Sequence, residues 1–174
     1  MEIIKDAIMS TVDPGTSSKI QGREVGESIE HFSMTLSSDR EINTEEILKR
    51  GPLLLVFIRG TWCPFCNIHM SRIRKWSQNI DSNSGTVIII SYEKTNAIRQ
   101  WLEKNPMTTL FASDPSLEIA KRFGVYIAPR EFSQAATFLI DVDSKIKVAY
   151  KGKRTRASVK DIGKSFNETV KESA

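Results

Sequence analysis

The run LLLVFI, from Leu53 to Ile58, is apolar at every position, which suits a strand buried on both faces of a sheet rather than one with a wet side. TVIIIS, from Thr86 to Ser91, reads as a second buried strand. HFSMTL, from His31 to Leu36, alternates in the manner of a short strand, and SSDREIN after it reads as a turn. Asn43 with Glu46 three residues on resembles a capping box for a brief helix through Arg50, ended by Gly51-Pro52. After the first apolar run, Phe65, Ile68, Ile73, Trp76 and Ile80 stripe the inner side of a helix expected from Pro64 to Ile80. Ile98, Trp101 and Leu102 mark another. Asp114-Pro115 is expected to open a helix through Phe123, with Gly124 as its stop. ATFLID and KIKVAY read as paired strands across the turn VDS, and Val159, Ile162, Phe166 and Val170 stripe the last helix. Strands alternating with helices, then a hairpin and a closing helix, predict an α/β sandwich with a central mixed β-sheet flanked by helices. An N-terminal strand or hairpin extends it. Residues 1–24 read as a weakly packed lead-in and 25–174 as a single domain.

Composition narrows the class. A chain of 174 residues, 40% hydrophobic and 26% charged, has the size and balance of one soluble globular domain with a sizeable core. No apolar run approaches the roughly 18 residues needed to cross a bilayer, so no membrane partner is expected. The start, MEIIKDAIMSTVDPG, lacks a basic lead followed by an apolar block; a cytoplasmic, reducing setting is the expectation. Net charge is +4 but uneven: from Lys145 onward nine Lys and Arg face three Asp and Glu, while the rest of the chain is net negative. The excess concentrates in KIKVAYKGKRTRASVK, which matches no nucleic-acid motif and carries only Tyr150 as an aromatic. Lys151, Lys153, Arg154 and Arg156 are therefore read as a solvated face at a hairpin end and helix start, with no nucleic-acid partner.

The chemistry lies in RGTWCPFCNIHM, Arg59 to Met70, which holds the only two cysteines, Cys63 and Cys66. They sit where a buried strand hands over to a helix. Pro64 fits the first helical position, placing Cys63 at the N-cap and Cys66 in the first turn. Free backbone N–H groups and the positive end of the helix dipole stabilise a thiolate there. Arg59, at the end of the incoming strand, adds a fixed positive charge. Trp62 offers a flat apolar ring that shields the thiols and presents a docking surface. Cys63, ahead of the first turn, is expected to reach solvent and attack first; Cys66, turned under Phe65 and Trp62, is expected to resolve. A staple is disfavoured because the closed loop is so short that the chain-entropy gain is small. Cys63, Cys66 and His69 also form C-x2-C-x2-H, with His31 as a fourth candidate ligand, so a metal-binding module stays open as an alternative. A non-catalytic interaction module is the other alternative. The second half of a zinc signature is absent, and C-x-x-C between a buried strand and a helix favours redox work.

WCPFC resembles the active-site motif of thioredoxin-fold proteins. The wider pattern is similar to the peroxiredoxin-like branch of the alkyl hydroperoxide reductase/thiol-specific antioxidant (AhpC/TSA) family. VGESIEHFSMTL, GPLLLVFIRGTWCPFCN, ASDPSLEIAKRFGV and ATFLIDVDSKI carry the likeness, in the family's order and over about 25–150. The resemblance implies a thioredoxin-like sandwich, no bound organic cofactor, and thiol-dependent reduction of peroxides or disulfides, with antioxidant activity. It also implies a recycling thiol reductant such as a thioredoxin-type system, and leaves a homodimer open. The family's Pro-x-x-x-Thr-x-x-Cys is not met. With Cys66 on the peroxide-reactive position, Arg59 and Cys63 fall on the Pro and Thr; with Cys63 there, Val56 and Gly60 do. The family's distant Arg, and the cis-proline of thioredoxins, both match Ala135.

Overall fold

The computed structural model describes residues 22–81, 83–127, 132–152 and 154–174; most of the lead-in lies outside them. Seven strands form one sheet in the order β2-β1-β5-β4-β3-β8-β9. These are β1 (Ser33–Leu36), β2 (Glu41–Asn43), β3 (Leu53–Phe57), β4 (Thr86–Ser91), β5 (Leu110–Ser113), β8 (Ala136–Ile140) and β9 (Ile146–Lys151). A separate two-stranded piece pairs β6 (Tyr126–Ile127) with β7 (Phe132–Ser133). The helices are α1 (Thr44–Leu48), α2 (Pro64–Ser77), α3 (Thr95–Lys104), α4 (Glu118–Arg122) and α5 (Arg156–Glu172). β3 runs parallel to β4 and β4 to β5, whereas β8 is antiparallel to β3 and to β9, and β1 to β5. The sheet is mixed and lies between helices, as the element pattern implied.

β3 lies inside the sheet. All five of its residues are buried, because β4 and β8 flank it and both faces are covered. Its side chains divide strictly. Leu53, Leu55 and Phe57 join Phe32, Ile88, Phe123 and Phe138 on one face; Leu54, Val56 and Ile58 join Ile73, Ile89, Phe111, Ile162, Phe166 and both cysteines on the other. Burying such side chains stabilises by about 1.5–3 kcal/mol each relative to exposure. α2 and α5 cover the cysteine-bearing face, with Trp76 of α2 meeting Phe166 edge-on at 5.4 Å between ring centroids. Gly163 is what lets the two helices close: a Cβ there would stand 2.6 Å from Trp76 Nε1.

Several elements depart from the sequence reading. EIN, read as part of a turn, is the second strand of a hairpin with β1, Met34 opposite Ile42. LFAS forms β5; it passed unread because four residues with one exposed leucine show neither clear alternation nor length. α2 stops at Ser77, so Ile80 packs from beyond the helix, and the buried positions of α2 are Cys66, His69, Met70 and Ile73. Ile68 is only half-buried. The helix expected from Asp114-Pro115 begins at Glu118 instead. Leu117 adopts a left-handed conformation (φ 60°), and the Asp114 carboxylate reaches past it to accept from Ile119 N at 3.1 Å and Ala120 N at 2.9 Å. Asp114 thus caps the helix from a distance, not as its first residue. No helix among the described residues is long and apolar enough to cross a membrane.

Candidate active site

β3 delivers the chain to the site and the sheet releases it there. Ile58 N still donates to Ile90 O at 3.1 Å, while Ile58 O accepts from the Ser133 hydroxyl at 3.1 Å. The backbone then rises into a loop anchored by one carboxylate. Glu93 accepts from Thr61 N (2.8 Å), Thr61 Oγ1 (2.7 Å) and Ser91 Oγ (2.6 Å). Gly60 is required by proximity: a Cβ there would lie 2.2 Å from Trp62 Nε1, so the indole lies across the glycine. Trp62 donates from Nε1 to the Tyr92 hydroxyl at 3.2 Å and meets Phe132 edge-on. From the helix side, Asn67 Nδ2 donates back to Thr61 O (2.9 Å) and Cys63 O (3.1 Å), closing the loop over the first turn of α2.

This frame sets Cys63 at the N-cap of α2, with extended backbone (φ −80°, ψ 120°) and Pro64 behind it in the first turn. The cap has no side-chain oxygen to offer the helix, so a sulfur anion can take the free amides. The Cys63 thiol is held down to about 6, first by the hydrogen bond that Cys66 S–H donates to it, against burial. The backbone N–H of Cys66, the positive charge of Arg59 and the backbone N–H of Phe65 add to this. Cys66 moves the opposite way: sharing its proton with Cys63, and then burial, push its thiol far up, while the backbone amides of Arg59 and Gly60 pull it down. These opposite shifts favour the thiolate at Cys63 and the thiol at Cys66.

Both cysteines are reduced and buried, Cys63 at 1% exposure and Cys66 at 0%. The expectation that Cys63 reaches solvent is therefore corrected for this dithiol state. Trp62, 51% exposed, holds the surface position beside it. Arg59 is itself buried, its guanidinium 4.7 Å from the Phe132 ring centroid and 5.6 Å from that of Trp62. Ala135, where the family's Arg would fall, is buried in the link to β8.

The largest correction concerns the basic segment. Arg154 is not part of a solvated face: it is 2% exposed and its Nη1 donates to Cys66 Sγ at 3.1 Å. Its guanidinium also stands 5.9 Å from the Phe65 ring centroid, and its carbonyl accepts from Arg72 of α2 at 3.1 Å. Lys151 is half-buried and paired with Glu24, Arg156 is exposed, and Lys153 lies outside the described residues. The physical reason is topological. β9 runs beside β8, and the step from it into α5 passes over the start of α2, so a side chain here points at the first turn. Gly152 N, donating to Ala135 O at 2.7 Å, fixes that step.

His69 lies on the buried side of α2, 1% exposed, and its Nδ1 has no hydrogen-bond partner among the described residues. Burial, then the nearby Arg72, push its pKa down to about 4, so it is neutral. Among the described residues no three His, Cys, Asp or Glu side chains converge as a metal site, which leaves the Cys63, Cys66 and His69 alternative without geometric support. Sequence reasoning missed Arg154, Glu93, Thr61 and Tyr92. Only the vacancy at Ala135 hinted that a cation must come from elsewhere.

The AhpC/TSA family model matches residues 25–149. Among solved structures, the Mycobacterium tuberculosis peroxidoxin BcpB is 18% identical with a TM-score of 0.73, over 86% of this chain and 97% of that one. A putative protein disulfide isomerase from Bacteroides thetaiotaomicron is 20% identical with a TM-score of 0.75, over 88% and 94%. The yeast mitochondrial 1-Cys peroxiredoxin, whose thiol is resolved via glutathione/thioredoxin systems, is 17% identical with a TM-score of 0.69, over 86% and 79%. No curated protein matches the chain significantly. At such identities the likeness shows the fold: the thioredoxin-like sandwich expected from the sequence.

Proposed function

This chain belongs to the AhpC/TSA family and is a thiol-dependent oxidoreductase, and from that premise we propose that Cys63 and Cys66 cycle between dithiol and disulfide to reduce disulfides or peroxides. The observation that carries the reading is the placement of Cys63 at the N-cap of α2, where the neighbouring Cys66, free helix amides and Arg59 all lower its thiol. A thiolate at Cys63 attacks one sulfur of a substrate disulfide; the bond between the two substrate sulfurs breaks and the departing thiolate takes a proton. Cys66, having given up its proton, then attacks Cys63 within the mixed disulfide, closing the internal bridge and releasing the second substrate sulfur as a thiolate. With a peroxide, Cys63 takes the terminal oxygen as a sulfenic acid and an alcohol or water leaves. Cys66 condenses with the sulfenic acid to the same bridge, releasing water. A reductant of the thioredoxin or glutathione type, in a reducing compartment such as the cytoplasm, reopens the bridge.

A second reading has Cys66 attacking peroxide directly, and the Arg154 contact at 3.1 Å is the observation that favours it. The two thiols are equally buried; the lowered Cys63 thiol at the helix N-cap against the raised one of Cys66 speaks for the first order. The test pairs peroxide consumption with reduction of a protein disulfide, each under a recycling thiol system, in the parent protein, Cys63→Ser and Cys66→Ser. The first reading expects Cys66→Ser to accumulate a mixed disulfide and Cys63→Ser to be nearly inert. Peroxide consumption by Cys63→Ser at the parental rate would reverse the order.

A further inference from the structure

A buried thiol that must become a nucleophile needs something to hold its charge, and among the described residues no carboxylate hydrogen-bonds to either sulfur. Glu93, the carboxylate of this loop, is committed to Thr61 and Ser91. What Cys66 has instead is a ring of donors: Arg154 Nη1 at 3.1 Å and the backbone amides of Arg59 and Gly60. We propose that Arg154 is a catalytic residue of the resolving step, the cation that holds Cys66 as a thiolate once Cys63 has been captured in a mixed disulfide. This deepens, and rests on, the assignment of Cys63 as the attacking thiol.

The argument turns on how the charge is distributed before and after attack. In the dithiol the single negative charge sits on Cys63, and a second one on Cys66 is opposed by its neighbour and by burial. Attack by Cys63 turns its thiolate into a neutral disulfide sulfur, so the opposing charge disappears while Arg154 stays. What then acts on Cys66 among the described residues includes Arg154 and the backbone amides of Arg59 and Gly60, none of them negative. Arg59 stands at the end of β3, Arg154 in the link from β9 to α5, and Arg72 farther along α2. His69, one turn from Cys66, is neutral through burial. The Cys66 proton passes to the first departing substrate thiolate, before Cys66 attacks. Arg154 is buried with its neighbours fixed: its carbonyl is held by Arg72, the step before it by Ala135, and its guanidinium lies near Phe65. Taking a guanidinium out of water is costly, and burial draws Arg154 itself down to about 10. An anion at Cys66, 3.1 Å from Nη1, offsets part of that cost.

An aromatic disulfide, dithiobis-nitrobenzoate, separates the two steps, because attack by Cys63 and resolution by Cys66 each release one coloured thiolate. In Arg154→Met the first release is expected to keep its rate, and the second to slow about tenfold or more with its pH midpoint displaced upward. Arg154→Lys, which keeps the charge, is expected to recover part of the second rate. An unchanged second release in Arg154→Met, or equal slowing in Met and Lys variants, overturns the proposal. Should Arg154→Met lose cooperative unfolding, the Cys63→Ser protein decides with Arg154 intact. Thiolate ultraviolet absorbance there should show Cys66 titrating below about 8.5 despite its burial; a midpoint at or above that value overturns the proposal. Cys63→Ser that still reacts with the aromatic disulfide at the parental rate refutes the order of the two thiols instead, whatever its midpoint.

Discussion

Replacing Cys66 by Ala removes the S–H that donates to Cys63, the largest of the interactions holding the Cys63 thiolate. With its thiol near 6, Cys63 is roughly nine-tenths ionised at pH 7, against a few per cent for an ordinary cysteine. A hydrogen bond to a charged group contributes about 1.5–3 kcal/mol, and one pH unit corresponds to about 1.4 kcal/mol. Loss of that bond should therefore raise the Cys63 midpoint to about 7–8 in Cys66→Ala. Cys66→Ser keeps a hydroxyl donor and should stay closer to the parent. Arg59→Met should raise the midpoint less than Cys66→Ala, because Arg59 acts through space rather than through a shared hydrogen. Thiolate absorbance against pH, with alkylation rates as a second reading, measures all four proteins. A Cys66→Ala midpoint indistinguishable from the parent, or an Arg59→Met displacement exceeding it, would refute the ranking of causes.

Acid should unfold the protein partly through His69. Its folded pKa, near 4, lies below the usual 6.5, so the stability it contributes is complete above about 6.5 and is lost as pH falls toward 4. Between pH 7 and 5 that loss is about 2 kcal/mol, and denaturant titrations of His69→Leu should show a shallower acid decline than the parent. Glu93→Gln weakens three hydrogen bonds to the loop before Cys63; a loss of about 1.5–3 kcal/mol in unfolding free energy is expected, with faster alkylation of Cys63 as the loop opens. Gly60→Ala must push the Trp62 ring aside, so tryptophan fluorescence should change and Cys63 should gain exposure to iodoacetamide; an unchanged spectrum and rate would show that the ring does not shield the thiol.

Much of the sandwich was legible because β3 is apolar at every position and β4 and β8 carry runs of consecutive apolar residues, as strands of a covered sheet do. The weaker pieces were not. β5 and the second hairpin strand are three or four residues long and draw their stability from pairing, which a local reading of the chain does not contain. The start of α4 was misplaced for a related reason: Asp114 caps across a left-handed Leu117, and only the folded loop shows that reach. At the site, Cys63, Pro64 and Arg59 are contiguous in sequence and were named. Glu93 and Arg154 are brought in by strand order, from 32 and 88 residues away, and a basic run read by composition alone looks like solvent.

The sheet sorts its own substitutions by parity. Along β3, odd-numbered side chains enter the layer around Phe123 and Phe138, and even-numbered ones enter the layer that holds the cysteines. Neighbouring strands obey the same division, Ile88 and Ile90 against Val87 and Ile89, Phe138 and Ile140 against Leu139. A change at Leu55 meets the back wall and reaches the sulfurs only if the strand backbone itself moves; a change at Val56 alters the wall the sulfurs rest on. Drift in thermal tolerance and drift in reactivity thus have separate addresses on one five-residue strand. A lineage can retune the first by altering alternate residues while the second stays as it was.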